Sequence, residues 1–360
     1  MSARTGTAVL PLHGGKAPAW LFQRMTRLAR ELVVFLVEEF GPDDVLRRLS
    51  DPYWFQAFAC VLGFDWHSSG VTTTATGALK EAVRPMQDEL GLYVAGGKGA
   101  TSRRTPGEIA AACERLGRDP APLVRASKLA AKVDNSAVQS GHQLYHHSFV
   151  FTATGNWCVV QQGMSDETST ARRFHWLGES VESFAREPHS AVCDDNRGVL
   201  LNLVADESEA ARDALVEVAR QEPSAAVKTL DHAAELVMPR RHELKLADVN
   251  PRYLDKILLK TYEQAPRDFE DLLGIQGVGP KTLRALALVA ELVYGAPAST
   301  RDPARYAFAH GGKDGTPFPV DRPTYDRTID VLGNALNAAH VDRSERVQAF
   351  RRLARFAGDA

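Results

Sequence analysis

Leu272-Leu273-Gly274-Ile275-Gln276-Gly277-Val278-Gly279-Pro280-Lys281-Thr282 is the most informative stretch of the 360-residue chain. Its pattern is a short apolar helix end, a glycine-punctuated turn and a helix start. Gly277 and Gly279 allow a sharp turn and let a backbone approach a ligand closely. Pro280 lacks an N–H and presets φ for the first helical turn. The unpaired N–H groups of that turn, with the helix dipole behind them, form an anion site suited to a DNA phosphate. Ile275 and Val278 serve as apolar pegs between the two helices. Gly277, Val278, Gly279, Lys281 and Thr282 are therefore the expected DNA contacts.

Outward from this turn the signals are helical. Phe269–Leu273 and Lys281–Tyr294 flank it, Pro251–Glu263 precedes it, and Tyr325–Ala339 and Arg343–Phe356 follow. Phe318-Pro319-Val320-Asp321 is an extended, proline-containing approach to an aspartate at a helix start. Together these features resemble the helix–hairpin–helix DNA glycosylase superfamily over roughly Asn250 to Asp330. The resemblance implies a base-excision enzyme with lyase capacity. Lys281 would attack the sugar C1′, and Asp321 would stabilise the oxocarbenium character that builds on the sugar. It also implies a flipped base and a pocket to receive it. The carbonyls of Ile275 and Val278 are candidate ligands for a monovalent ion. The glycosylase step requires no cofactor. With no cysteine after Cys193, no iron–sulfur cluster is expected.

Residues 1–165 mix helix and strand signals, and residues 166–360 read as helical. The expected fold is an α+β N-terminal domain followed by a mostly α-helical domain containing the helix–hairpin–helix (266–294). Trp20–Phe40 has apolar positions at helical spacing and stops at Gly41-Pro42. Asp51–Leu62 and Ala78–Leu90 also read as helices, whereas Val71–Thr76 is β-branched. Leu92–Ala95 reads as a strand. Ser148–Thr152 and Trp157–Gln161 flank a hairpin turn.

The N-terminal half carries several polar clusters. Gly96-Gly97-Lys98-Gly99 lacks the P-loop pattern and is either a phosphate nest or a plain turn. Lys98, Arg103 and Arg104 are candidate DNA contacts. Asp65, His67, Asp134 and His142 have the ligand chemistry of a metal-dependent nuclease, so a divalent metal is the cofactor of that alternative. Trp66, Tyr145 and Trp176, with Arg172 and Arg173, offer a stacking platform for a flipped base or single strand. As a whole the chain also resembles a conserved prokaryotic family of unknown function.

Net charge is −2, which does not single out a DNA binder. From Arg240 onward, however, 19 basic residues face 16 acidic ones, so the positive surplus lies in the part holding the turn. No apolar run approaches membrane-spanning length, and no secretory leader or cysteine-pair motif is evident, so a cytoplasmic protein without a membrane partner is expected. DNA, duplex or single-stranded and lesion-containing, is the expected partner. The alternatives are a nuclease that uses the turn only for docking and a non-catalytic DNA-structure binder.

Overall fold

The computed structural model describes residues 10–12, 17–64, 68–194, 200–224, 251–304 and 322–358. The chain begins with a helical layer. Helix α1 (Ala19–Phe40) buries Met25, Leu28, Ala29, Leu32, Val33 and Leu36, the spacing of one helical face. Gly41, at φ +82°, ends it, and Pro42 opens α2 (Pro42–Ser50). The Asp51 carboxylate then caps α3 (Pro52–Leu62) by accepting from the Tyr53 and Trp54 amides. Every residue of α3 is buried. Helix α4 (Ser69–Val83) replaces the β-branched signal at Val71–Thr76. Packing overrides propensity here: Val71, Thr72, Ala75 and Thr76 repeat at helical spacing and are all buried. A short α5 (Gln87–Leu90) leads into the sheet.

Five antiparallel strands form that sheet, in the order β1 (Leu92–Lys98), β3 (Gln143–Thr152), β4 (Trp157–Ser165), β5 (Thr170–Leu177), β6 (Ala191–Cys193). Two helices, α6 (Thr105–Arg115) and α7 (Ala121–Lys132), cross between β1 and β3. Strand β2 (Val138–Gln139) pairs separately with β7 (Leu201–Asn202). The expected hairpin at 148–161 is present as β3–β4.

Helices cover both faces of the sheet. Leu92, Val150, Cys158 and Val160 belong to a core shared with α1–α4. Tyr93, Phe149, Phe151, Val159, Phe174 and Trp176 belong to a second core with α6, α7 and α8 (Glu209–Arg220). The second core also takes α9 (Pro251–Gln264), α10 (Phe269–Gly274) and α11 (Pro280–Tyr294). The first is closed by α12 (Arg322–Ala338) and α13 (Arg343–Gly358). There, Glu31 accepts from the His340 amide at 2.9 Å and Arg352 forks onto the Val61 carbonyl at 2.9 and 2.7 Å.

The fold is thus mixed helix and sheet. Residues 166–360, expected to be mostly α-helical, also hold β5, β6 and β7. The division at 165 falls inside the β4–β5 hairpin, where Ser165 pairs with Thr170. With both faces buried, β5 loses the polar–apolar alternation that marks a half-exposed strand. Its sequence, TARRFHWL, even places Arg172 and Arg173 in the interior. Among the described residues, no helix is long and apolar enough to cross a membrane.

Candidate functional site

Antiparallel pairing brings the end of β1, the start of β3, the end of β4, the start of β5 and the end of β6 to one end of the sheet. The polar clusters of the sequence meet there. Gly96 is required: at φ +92°, a Cβ would stand 2.2 Å from the His147 carbonyl oxygen. Its N–H donates to Glu108 Oε2 at 2.7 Å, and its carbonyl accepts from Lys80 Nζ at 2.8 Å. Gly96 and Gly97 therefore finish a strand, and the Gly96 amide serves the protein rather than a phosphate nest. Lys98 is exposed, its ammonium 5.7 Å from the Tyr145 ring centroid. Arg103 and Arg104 are exposed on the 3-10 turn (Gly99–Arg104) that leads into α6.

A cavity of about 200 Å³ lies between that turn, the last turns of α7 and the start of β3. Arg103, Ser127, Lys128, Ala131, Leu144 and His147 are among its lining residues. Ser127 Oγ lies 2.9 Å from His147 Nε2, and His147 Nδ1 lies 2.6 Å from Gln161 Oε1. The Gln161 amide nitrogen donates to the Ala130 carbonyl at 3.0 Å and to Asp134 Oδ2. With its nitrogen so used, Gln161 offers its oxygen to His147. Nδ1 is then the donor, and Nε2 accepts from the Ser127 hydroxyl. Burial pushes the His147 pKa below its ordinary value, which keeps the ring neutral at pH 7. Asp134 is the hub of this network. A π-turn at the end of α7 carries it inward, and it also meets Trp176 Nε1 at 2.9 Å and His189 Nε2.

The other face of the same sheet end has its own network. Gln162 donates to the Ser69 carbonyl at 2.9 Å and to the Tyr145 hydroxyl, and accepts from Thr72. His146 Nε2 lies 2.9 Å from Thr76 Oγ1, while its buried Nδ1 has no partner among the described residues. Burial foremost pushes the His146 pKa down to about 3.

The expected metal quartet is not assembled. Asp65 and His67 lie outside the described residues. Asp134 is committed to the hub, whereas His142 belongs to a different cluster with Ser140, Thr170, Asp194 and Arg172. In that cluster Arg172 bridges two carboxylates, Asp194 and Asp302, each at 2.7 Å. Among the described residues, no group of three or more His, Cys, Asp or Glu side chains could hold a metal ion. The stacking platform also fails, because Trp176, Arg172 and Arg173 are fully buried. Trp66 lies outside the described residues.

The turn at 275–281 is a different kind of structure. Asp268 caps α10 by accepting from the Asp271 amide, and Ile275, Val278 and Thr282 are buried. Gly277 sits at φ +103°, and a Cβ there would meet Ile257 Cδ1 at 2.4 Å. Gly279 has φ −137°, open to any residue, and a Cβ there would have only the Gly277 oxygen, 3.9 Å away, within 4 Å. Pro280 opens α11, and Lys281 is exposed in its first turn. With Val278 and Thr282 buried, these two reach a ligand only through their backbones. The turn's carbonyls are held by protein. Lys260 donates to Gln276 at 2.9 Å, Gln139 to Pro280 at 2.9 Å, and Lys132 to Val278. Of the two carbonyls expected to hold a monovalent ion, that of Val278 accepts from the Lys132 ammonium. Burial lowers the pKa of that lysine. The Ile275 carbonyl accepts from the Val278 amide at 3.2 Å. Asp321 lies outside the described residues.

The match to known sequences spans both sites. The chain belongs to the family described as Protein of unknown function (DUF763). The DUF763 match covers residues 6–320, so the cavity, the turn and Lys281 all fall within it. No curated protein and no solved structure matches the chain.

Sequence reasoning missed Ser127, Lys128, Lys132, Gln161 and His189 in the DUF763 chain. One signal was available: Gln161-Gln162 interrupts an apolar strand, and a buried amide must find hydrogen-bond partners. Lys128 and Lys132 are four residues apart on α7 and so share a face, about 6 Å apart along the axis. Lys128 lines the cavity and Lys132 holds the turn. The last turn of α7 therefore joins the two sites.

Proposed function

We propose that this protein acts on DNA as a base-excision glycosylase with lyase capacity, and that residues 266–294 form a helix–hairpin–helix. The observation that carries the reading is the arrangement around Lys281. Buried pegs fix the turn, Pro280 opens α11, and Lys281 is exposed in its first turn. Such a helix start grips a phosphate, and the lysine amine beside it reaches a sugar. In the proposed reaction the Lys281 amine attacks C1′ and the protonated base leaves. The ring-opened sugar becomes a Schiff base, and β-elimination breaks its 3′ C–O bond. Asp321 stabilises the oxocarbenium character at C1′. A lyase adduct should be trapped by borohydride on lesion-containing or abasic DNA in the presence of EDTA. It should disappear in Lys281→Gln, while Asp321→Asn slows base release by about 10²-fold or more. No adduct and no released base across uracil, hypoxanthine, oxidised and abasic substrates would overturn the reading.

A second reading places phosphodiester cleavage at the sheet end and leaves the turn as a docking element. The convergence of Arg103, Lys128 and Ser127 on one cavity favours it. Cleavage that appears only when Mg²⁺ or Mn²⁺ replaces EDTA, and that persists in Lys281→Gln, would decide for it.

A further inference from the structure

We infer that the cavity between α6, α7 and β3 is a nucleotide-binding pocket. It takes one unstacked or strand-terminal nucleotide, base inward and phosphate at the rim. The inference rests on the reading that the chain acts on DNA and adds a second contact, distinct from the turn but next to it. The lining is graded. Leu144, Ala131 and Pro106 supply apolar surface, which suits the faces of a heterocycle. Ser127 and His147 supply buried polar atoms. Because the Ser127 hydroxyl donates to His147, its lone pairs remain for a donor on a base edge. Arg103 and Lys128 are exposed, so the two cations stand at the mouth rather than the floor. No described residue lining the cavity is acidic. A bare phosphate would need its cations inside, yet the interior here offers the Ser127 hydroxyl beside an imidazole whose two nitrogens are already engaged. At about 200 Å³ the space is below the ~300 Å³ where drug-sized pockets begin, which suits a single ring system. Lys128 and Lys132 share a face of α7, so a nucleotide in the cavity lies beside the turn, on the path of one strand.

The test is calorimetric titration of the full chain with deoxynucleoside 5′-monophosphates, deoxyribose 5-phosphate and inorganic phosphate, one at a time. A parallel titration uses a labelled duplex. The monophosphates should bind about tenfold or more tighter than either fragment without a base. Arg103→Ala with Lys128→Ala should weaken them about tenfold or more. Both side chains are exposed, so the fold should survive, as circular dichroism would verify. Ala131→Leu, which fills the cavity, should abolish base discrimination and leave any phosphate binding unchanged. Equal affinity for the monophosphates and inorganic phosphate would overturn the proposal in favour of a bare anion site. Duplex binding without mononucleotide binding would overturn it while leaving the DNA reading intact. Binding to neither would remove both.

Discussion

The cavity and the turn sit a helical turn apart and are built on opposite principles. The turn is a contiguous run of backbone whose shape follows from one glycine at positive φ, one proline and two apolar pegs. The cavity is made of side chains contributed by the turn before α6, α6 itself, α7 and β3 and held in place by Asp134, whose partners come from β4, β5 and the segment before β6. Under the proposed function the turn contributes backbone N–H groups and the Lys281 amine, on a shape fixed by Gly277, Pro280 and the buried pegs. Under the proposed reading the cavity contributes protonation states and hydrogen-bond direction, so a single change there propagates through the network. A site made of backbone is locally coded, whereas a site made of side chains is coded only by the whole fold.

The sharpest way to break this contrast is to remove the hub. Asp134→Ala removes the buried carboxylate that Gln161, Trp176 and His189 share. It should cost about 3–5 kcal/mol in urea denaturation, with the midpoint lowered and the slope unchanged. A loss below about 1 kcal/mol would mean that the network does not hold the cavity. Acid should act next. His146, held at about 3, and His147 and His175, held lower than ordinary imidazoles by burial, are neutral when folded. The unfolded chain takes up protons as pH falls below about 6.5, and the folded chain does not. Stability is therefore full above that pH and declines below it. The decline should be about 1.4 kcal/mol per pH unit for each such histidine until its folded pKa is reached. A denaturation midpoint that stays flat from pH 7 to 5 would contradict the buried neutral rings.

The glycines of the turn give a smaller and more discriminating comparison. Gly277→Ala should destabilise by roughly 1–2 kcal/mol, from its left-handed φ and the contact with Ile257. Gly279→Ala should leave the melting temperature within about 1 °C, because nothing in the protein crowds that position. If Gly279→Ala nonetheless weakens DNA binding, the glycine is there for the ligand and not for the fold. The smallest expected effect is that of Lys132→Met. It frees the Val278 carbonyl and should lower DNA affinity about two- to fivefold with little change in stability. An unchanged affinity would show that the turn holds its shape without help from α7.

The same contrast explains what the sequence disclosed. Helices with an apolar face and a stop, such as α1 ending at Gly41-Pro42, were legible from spacing alone. So was the turn at 277–280, with its flanking helices. Strand β5 was not, because burial on both faces erases the alternation that signals a strand. The division at 165 failed for the same reason: with β5 unrecognised, the sheet seemed to end at β4. Lys98, Arg103 and Lys281, singled out as charges near glycines, are all exposed. Ser127 and His189 carry no local signal, since their importance lies in partners up to 55 residues away, whereas Gln161 is marked only by standing within an apolar strand. Asp134 and His142 were chosen for their chemistry and then grouped wrongly, because composition does not say which buried polar groups share a face.

The way α12 and α13 close the first core has a consequence for how the protein is made. The apolar faces of α1 and α3 emerge early from the ribosome, yet their cover emerges last: Glu31 waits for His340, 309 residues later. At elongation rates of about 5–20 residues per second, that delay is roughly 15–60 s. For that time the N-terminal helices have their own contacts but not their lid. Over that interval the apolar face of the helical layer that α12 and α13 later cover stays open to other partners.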